Sequence, residues 1–205
     1  MLQVHVDAQT VAELIALGRF AAERGWVPAT SGNFSHRIDA RHIAVTLSGR
    51  DKGALTEADF AVVALDEPLP SGVSAETPLH VARYRRDGAI GAVAHVHSLA
   101  ATVLSRADEA KGAVELEGFE MHKALDGFTT HDSTLRIPIF SNAQNTGELA
   151  RRIESALGDA PVPGYLLAGH GLYTWGASVA GARRHLEALD FLLRCSLEER
   201  RMKST

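Results

Sequence analysis

Ala89-Ile90-Gly91-Ala92-Val93-Ala94-His95-Val96-His97-Ser98 is an apolar run that ends in two histidines one residue apart. It reads as a buried strand. Helical text flanks it on both sides. Before it, Ser74-Ala75-Glu76-Thr77 opens a helix that runs to about Asp87 and is stopped by Gly88. After it, residues 99–105 return to helical spacing. A buried strand between helices points to an α/β or mixed α+β protein with helices covering a sheet.

The rest of the chain repeats this interleaving. Thr10-Val11-Ala12-Glu13 reads as a capping box. Val11, Leu14, Ile15, Leu17 and Phe20 follow at helical spacing, with Gly25 as the C-terminal glycine. Pro28-Ala29-Thr30-Ser31-Gly32-Asn33 is a loop. Residues 34–38 and 42–47 read as strands joined by a hairpin at Asp39-Ala40, the second ending in a turn at Ser48-Gly49. A capped turn at 56–59 and a strand at 61–65 come next. Residues 112–131 carry no legible period. Residues 137–140 form a strand, and Thr146 caps a helix that places Leu149, Ile153 and Leu157 on one face. Strands at 165–168 and 172–175 flank Gly169-His170-Gly171. A long helix from Ser178 to about Arg201 carries the stripe Val179, Ala182, Leu186, Leu189, Leu193 and Leu197.

Composition narrows the classes. With 205 residues, 45% apolar and 22% charged, the chain is expected to form a single domain, 1–205, whose core needs no staple. A net charge of −4 and the lack of a long basic stripe argue against a nucleic-acid binder held by phosphate neutralisation. Cys195 is the only cysteine, so no intrachain disulfide forms and a reducing cytoplasm is expected. The N-terminal residues lack the basic start and apolar run of a secretion signal. No apolar stretch approaches the ~18 residues of a membrane span.

Ten histidines in such a chain direct attention to metal or acid–base chemistry. His95 and His97 share one face of a strand end, and Val93, Ala94 and Val96 would keep a metal there dry. The best third ligand by position is His170, whose two glycine neighbours allow close backbone approach, with the loop residue His131 as its competitor. Three imidazoles and an open position suit a catalytic zinc, although iron, nickel and copper also accept imidazole. His80, His122 and His185 read as packed or solvated, and His5, His36 and His42 have no supporting neighbours. Two carboxylates are candidates for proton transfer. Glu76 begins a helix, where the dipole favours its charge. Glu120 stands between Phe119 and Met121, an apolar setting that would raise its pKa and suit a general base. The small-residue turns at Thr30 to Asn33, at Ser48-Gly49 and at Ser74 offer hydroxyls, an amide and backbone N–H groups to a phosphate. Arg50 and Lys52 add positive charge.

Taken together, Thr30-Ser31-Gly32-Asn33-Phe34-Ser35-His36-Arg37, Thr46-Leu47-Ser48-Gly49, Ser74-Ala75-Glu76, His95-Val96-His97-Ser98 and Gly169-His170-Gly171 resemble the class II aldolase/adducin family, in its order and over most of the chain. The resemblance implies a three-layer α-β-α sandwich with a central mixed, largely antiparallel sheet. It implies one zinc ion per subunit on His95, His97 and His170, a general acid/base at Glu120 with Glu76 at the position of the aldolase acid/base, and phosphate contacts from Thr30, Asn33, Ser48, Gly49 and Ser74 with Lys52 nearby. The implied partner is a small sugar phosphate, with no nucleic acid and no membrane, and the implied assembly is a homotetramer with active sites near subunit interfaces. Gly25-Trp26-Val27-Pro28-Ala29, Glu120-Met121-His122-Lys123 and Leu172-Tyr173-Thr174-Trp175-Gly176 point, within the family, to a hydro-lyase that removes water from a 2-ketose 1-phosphate. The alternatives are an aldolase or epimerase on another ketose phosphate, or a non-catalytic adducin-like module. Aldolases of the family carry two adjacent serines before the glutamate at position 76; here the second is Ala75.

Overall fold

In a computed structural model that describes residues 6–158 and 162–203, the elements run α1 (Ala8–Glu23), β1 (Asn33–Arg37), β2 (His42–Thr46), β3 (Phe60–Ala64), α2 (Thr77–Arg86), β4 (Ala92–Val96), α3 (Leu99–Ala107), β5 (Ala113–Glu117), β6 (Thr134–Phe140), α4 (Thr146–Leu157), β7 (Gly164–Leu167), β8 (Gly171–Gly176) and α5 (Val179–Lys203). His5 lies outside the described residues. The strands form one sheet in the order β3-β2-β1-β4-β8-β7-β6-β5, in which β6 and β7 pair parallel and the other neighbours antiparallel. This is the mixed, largely antiparallel sheet that the resemblance implies.

The period of two along each strand sorts the core into two layers. On β4, Ala92, Ala94 and Val96 pack with Leu14, Phe20, Leu104, Leu186 and Leu193, so α1, α3 and α5 cover that face. Val93 points the other way, into a cluster with Ile43, Leu79, Leu149 and Tyr165 under α2 and α4. Both faces of β4 are therefore covered, which explains its unbroken apolar run. A fully buried leucine such as Leu186 is worth roughly 1.5–3 kcal/mol of transfer free energy. No helix among the described residues is long and apolar enough to cross a membrane.

Three local expectations change. The cap of α1 is Asp7, whose Oδ1 accepts from the Thr10 N–H at 2.9 Å, so Thr10 is buried inside the first turn rather than capping it. Likewise Asn145, not Thr146, caps α4 by accepting from Glu148 N–H at 3.1 Å. In both cases a short polar side chain with extended or irregular backbone, lying before the expected residue, takes the cap. The illegible middle contains β5, an edge strand of five residues whose Glu115 and Glu117 face water. Its Val114-Glu115-Leu116-Glu117 alternates, but over four residues only, too short a run to stand out.

The centre of the sheet positions the chemistry. Asn33 on β1, His95 on β4 and Tyr173 on β8 stand opposite one another in register, so their side chains rise from one face. The strands approach so closely at Gly171 that a Cβ there would collide with the Val96 carbonyl and stand 3.1 Å from His95 Cε1. Gly171→Ala is expected to cost about 1–3 kcal/mol by overpacking. Thermal unfolding checks this, at roughly 2–4 °C per kcal/mol; an unchanged Tm would show that the strands can separate without loss.

Candidate active site

His95, at the centre of the sheet, is fully buried and stacks on Tyr173 with ring centroids 4.0 Å apart. Its Nδ1 faces the Leu172 carbonyl at 3.1 Å. That carbonyl can only accept, so Nδ1 carries the proton and Nε2 keeps its lone pair. His97 follows the end of β4, its backbone N–H donating to the Trp26 carbonyl at 2.8 Å. His170 sits in the turn between β7 and β8, braced by α3: Thr102 Oγ1 donates to the His170 carbonyl at 2.9 Å and Gly169 N–H donates to Ser105 Oγ at 3.1 Å. Its Nδ1 faces Asn142 Oδ1 at 3.3 Å. The three Nε2 atoms converge at 2.9, 3.0 and 3.3 Å from one another.

Glu76 completes the group. It occupies the N-cap position of α2, and its Oε1 lies 3.0 Å from His170 Nε2 and 3.5 Å from His95 Nε2. Its Oε2 accepts from Asn33 Nδ2 at 2.6 Å. One ligand atom from each of Glu76, His95, His97 and His170 falls within 4.8 Å of all the others. Burial works to raise the Glu76 pKa, but the pull of His95, the hydrogen bond and charge of His170 and the Asn33 amide outweigh it, and the carboxylate stays ionised. Burial lowers the His95 pKa well below its ordinary value. Burial, reinforced by His170, pushes His97 down to about 4.

Three imidazole nitrogens this close together, beside a buried carboxylate, form a crowded arrangement of lone pairs by themselves. A divalent cation relieves it. Three nitrogens and one carboxylate are the donor chemistry of a catalytic metal site, so the residues present fit a metal. A cleft of about 460 Å³ opens onto His97 and His170 between Pro28, Leu99, Thr102 and Asn142.

The small-residue turns meet beside this cluster. Ser74 Oγ accepts from Asn33 Nδ2 at 3.3 Å and from Glu76 N–H at 3.2 Å. An antiparallel bridge between Leu47 and Val73, with Ser48 N–H donating to the Gly72 carbonyl at 2.9 Å, brings the exposed Ser48-Gly49 turn alongside. Lys52 is almost wholly buried, and its Nζ donates to the carbonyls of Thr30 at 2.8 Å and Arg50 at 2.7 Å. Burial lowers its pKa. The loop it holds is strained: Ala29 and Thr30 have φ of 51° and 64°, unfavourable for residues with a Cβ and most of all for a β-branched one.

Several expectations are revised here. Glu120 lies outside the cluster, on a 3-10 turn (Glu120–Ala124), with its side chain 72% exposed and ion-paired to Lys123 at 2.6 Å and His131 at 3.4 Å. Its pKa is lowered by the Lys123 hydrogen bond, not raised, because Phe119 turns toward the core without covering the carboxylate. His131 is occupied there and is not the third member of the trio. Arg50 is paired with Asp59 at 3.2 Å. His122 and His185 are buried, as expected of packed histidines. The sequence reading missed Asn142, Tyr173 and His80. His80 is fully buried, with Nε2 2.5 Å from Asn33 Oδ1. Its signal was present: residues 76 and 80 are four apart and share a helix face.

Residues 12–197 match the family model described as Class II Aldolase and Adducin N-terminal domain. The chain belongs to the class II aldolase and adducin family. Within that family it is 51% identical over 197 residues to a methylthioribulose-1-phosphate dehydratase of Sorangium cellulosum, covering 94% of this chain and 93% of the relative. To the protein of the same name from Parvibaculum lavamentivorans it is also 51% identical, over 193 residues, covering 94% and 95%. Among solved structures, L-fuculose-1-phosphate aldolase from Thermus thermophilus superposes with a TM-score of 0.81 at 26% identity, covering 97% of this chain and 98% of that one. Proteins with different named reactions thus share this scaffold, so the fold alone does not fix the reaction.

Proposed function

We propose that this chain is a methylthioribulose-1-phosphate dehydratase, a hydro-lyase of methionine salvage. It removes water from 5-methylthioribulose 1-phosphate to give 2,3-diketo-5-methylthiopentyl 1-phosphate. The observation that carries this reading is the 51% identity to named dehydratases along nearly the whole chain. The converged donor cluster supports it. The ion assigned to that cluster is Zn2+, one per subunit, held by His95, His97 and His170. When bound, it supplies Lewis-acid polarisation of the C2 carbonyl, which acidifies the C3–H.

The chain's own residues do the rest. Glu76 is ionised and aimed into the donor cluster, so it is placed to take the C3 proton. The electron pair of that C–H bond forms the C3–C4 double bond as the C4–O bond breaks. The departing hydroxyl needs a proton, and the resulting enol tautomerises to the 2,3-diketone. Glu120, exposed on its own subunit, is assigned the second proton transfer at a neighbouring site in a homotetramer whose active sites lie near the interfaces. The continuous sheet and the lone Cys195 support a single domain, 1–205, working in a reducing cytoplasm.

The phosphate is assigned to Thr30, Ser48, Gly49, Ser74 and Lys52, with Asn33 standing between them and Glu76. Ser74 Oγ accepts two hydrogen bonds and keeps its own O–H to donate. Lys52 spends two of its three N–H donors on carbonyls and has one left for an anion. A charge-assisted bond of ~1.5–3 kcal/mol corresponds to about 10- to 100-fold in affinity. Lys52→Met should therefore raise KM by that factor with a smaller change in kcat. Steady-state kinetics decide it, and an unchanged KM removes Lys52 from the phosphate site.

The activity is tested by incubating zinc-replete protein with 5-methylthioribulose 1-phosphate and following diketone formation by ultraviolet absorbance and NMR. Intact substrate rejects the dehydratase reading. Release of an aldehyde with a three-carbon ketose phosphate replaces it with an aldolase. Purified protein that takes up no metal points to the adducin-like module.

A further inference from the structure

One buried polar chain reaches the site from below and plays no part in the chemistry above. Tyr84 Oη lies 3.0 Å from Ser35 Oγ, Ser35 Oγ lies 2.6 Å from His80 Nδ1, and His80 Nε2 lies 2.5 Å from Asn33 Oδ1. Asn33 Nδ2 then reaches Glu76 Oε2 at 2.6 Å and Ser74 Oγ at 3.3 Å. Tyr84, Ser35, His80 and Asn33 are all almost completely buried, so water does not compete for these bonds.

The direction of every bond follows from one end. Glu76 is a carboxylate and only accepts, so Asn33 turns its NH2 toward it and its carbonyl away. That carbonyl faces His80 Nε2, which must carry the ring proton. The imidazole is neutral, since burial holds its pKa down at about 4, and a neutral ring has a single N–H. His80 Nδ1 is therefore the acceptor for the Ser35 hydroxyl, and Ser35 in turn accepts from Tyr84. Both Asn33 amide hydrogens and its carbonyl are engaged, leaving the side chain one orientation. Flipping the amide would set its carbonyl against the Glu76 carboxylate and its NH2 against the His80 N–H.

We propose that His80 is a positioning residue for the reaction: through its Nε2–H it locks the Asn33 amide so that an N–H, never a carbonyl, faces Glu76, holding that carboxylate in the orientation proton transfer requires. The inference rests on the reading of Glu76 as the base that takes the C3 proton. On its other side His80 meets Ser35 and, behind it, Tyr84, which adapt to the ring tautomer and reach neither Glu76 nor the histidine trio.

The test compares His80→Leu, His80→Gln, Asn33→Ala and the double variant His80→Leu/Asn33→Ala, with Glu76→Gln as a separate control. Each is measured for kcat, KM, metal content and Tm. Outer-shell partners of this kind command about 10- to 100-fold. His80→Leu is expected to lower kcat by that factor, with KM within about threefold and metal content unchanged. His80→Gln places an amide N–H near the lost Nε2–H and should recover most of the rate. The double variant should be no slower than Asn33→Ala alone, because both act through one contact. Losses that multiply, or a lowered Tm with an unchanged kcat, would overturn the proposal and leave His80 a packing residue. Should His80→Leu fail to fold, the 15N spectrum of the wild-type ring still decides: a protonated Nε2 and an unprotonated Nδ1 are required, and the opposite tautomer overturns it. If Glu76→Gln turns over at the wild-type rate, the assignment of the base has failed. If Glu76→Gln is inactive while His80→Leu is unaffected, only the positioning role has failed.

Discussion

His95→Ala is expected to abolish metal binding and turnover together. His95 is the most buried of the trio and the one whose orientation is fixed on both sides, by the Leu172 carbonyl at 3.1 Å and by the Tyr173 ring. Alanine cannot shift to replace it, and the two remaining imidazoles with Glu76 no longer enclose an ion. Losing the ion removes several kcal/mol of Lewis-acid stabilisation, about a thousandfold or more at ~1.4 kcal/mol per decade. The Leu172 carbonyl also loses its donor inside the protein, so Tm should fall by several degrees without loss of the fold. Metal analysis of the purified variant and its diketone-forming rate settle the matter. A variant that keeps a full complement of zinc and the wild-type rate would falsify the metal assignment.

The second large effect separates the two glutamates. Glu76→Gln and Glu120→Gln should both keep zinc, because each leaves all three imidazoles in the chain, and both should lose about 10²- to 10⁴-fold in kcat, the range of a lost acid or base. Their contexts differ. Glu76 is enclosed with His95, His170 and Asn33, whereas Glu120 stands in solvent beside Lys123 and His131. If Glu120 acts on a neighbouring subunit, the two inactive variants complement each other. Tetramers mixed from equal amounts should regain activity, since about a quarter of their sites carry both intact glutamates. A Glu120→Gln enzyme with wild-type kcat assigns all proton transfer to Glu76. Loss in both variants with no recovery on mixing places both carboxylates in the same chain's site.

Much of the architecture is legible in the linear chain because it is written in short-range patterns. The unbroken apolar run before His95 announces a strand covered on both faces, and α1, α2, α4 and α5 follow from their apolar stripes and terminal glycines. Errors fall where a neighbouring residue takes over the cap, as Asp7 and Asn145 do. They also fall where an element is too short for its alternation to stand out, as in β5. The i, i+2 spacing of His95 and His97 correctly places two imidazoles on one face.

What the chain by itself determined is the inventory and its local geometry: a strand ending in paired imidazoles, a carboxylate at a helix start, small-residue turns and a glycine-flanked histidine. Only the tertiary structure decided which of these meet. His170 is chosen over His131 because β8 pairs with β4 and carries the turn before it to the trio, across 73 residues of chain. Glu76 and Glu120 are separated by environment, since one carboxylate is walled in by β1, β4 and the β7–β8 turn while the other faces water. His80 gains its role from the sheet register that brings Asn33 beneath Glu76. Hydrophobic period and capping chemistry act over a few residues, so they are readable along the chain. Burial, ionisation and the convergence of donors depend on contacts between segments far apart in it, and these exist only once the sheet has closed its register.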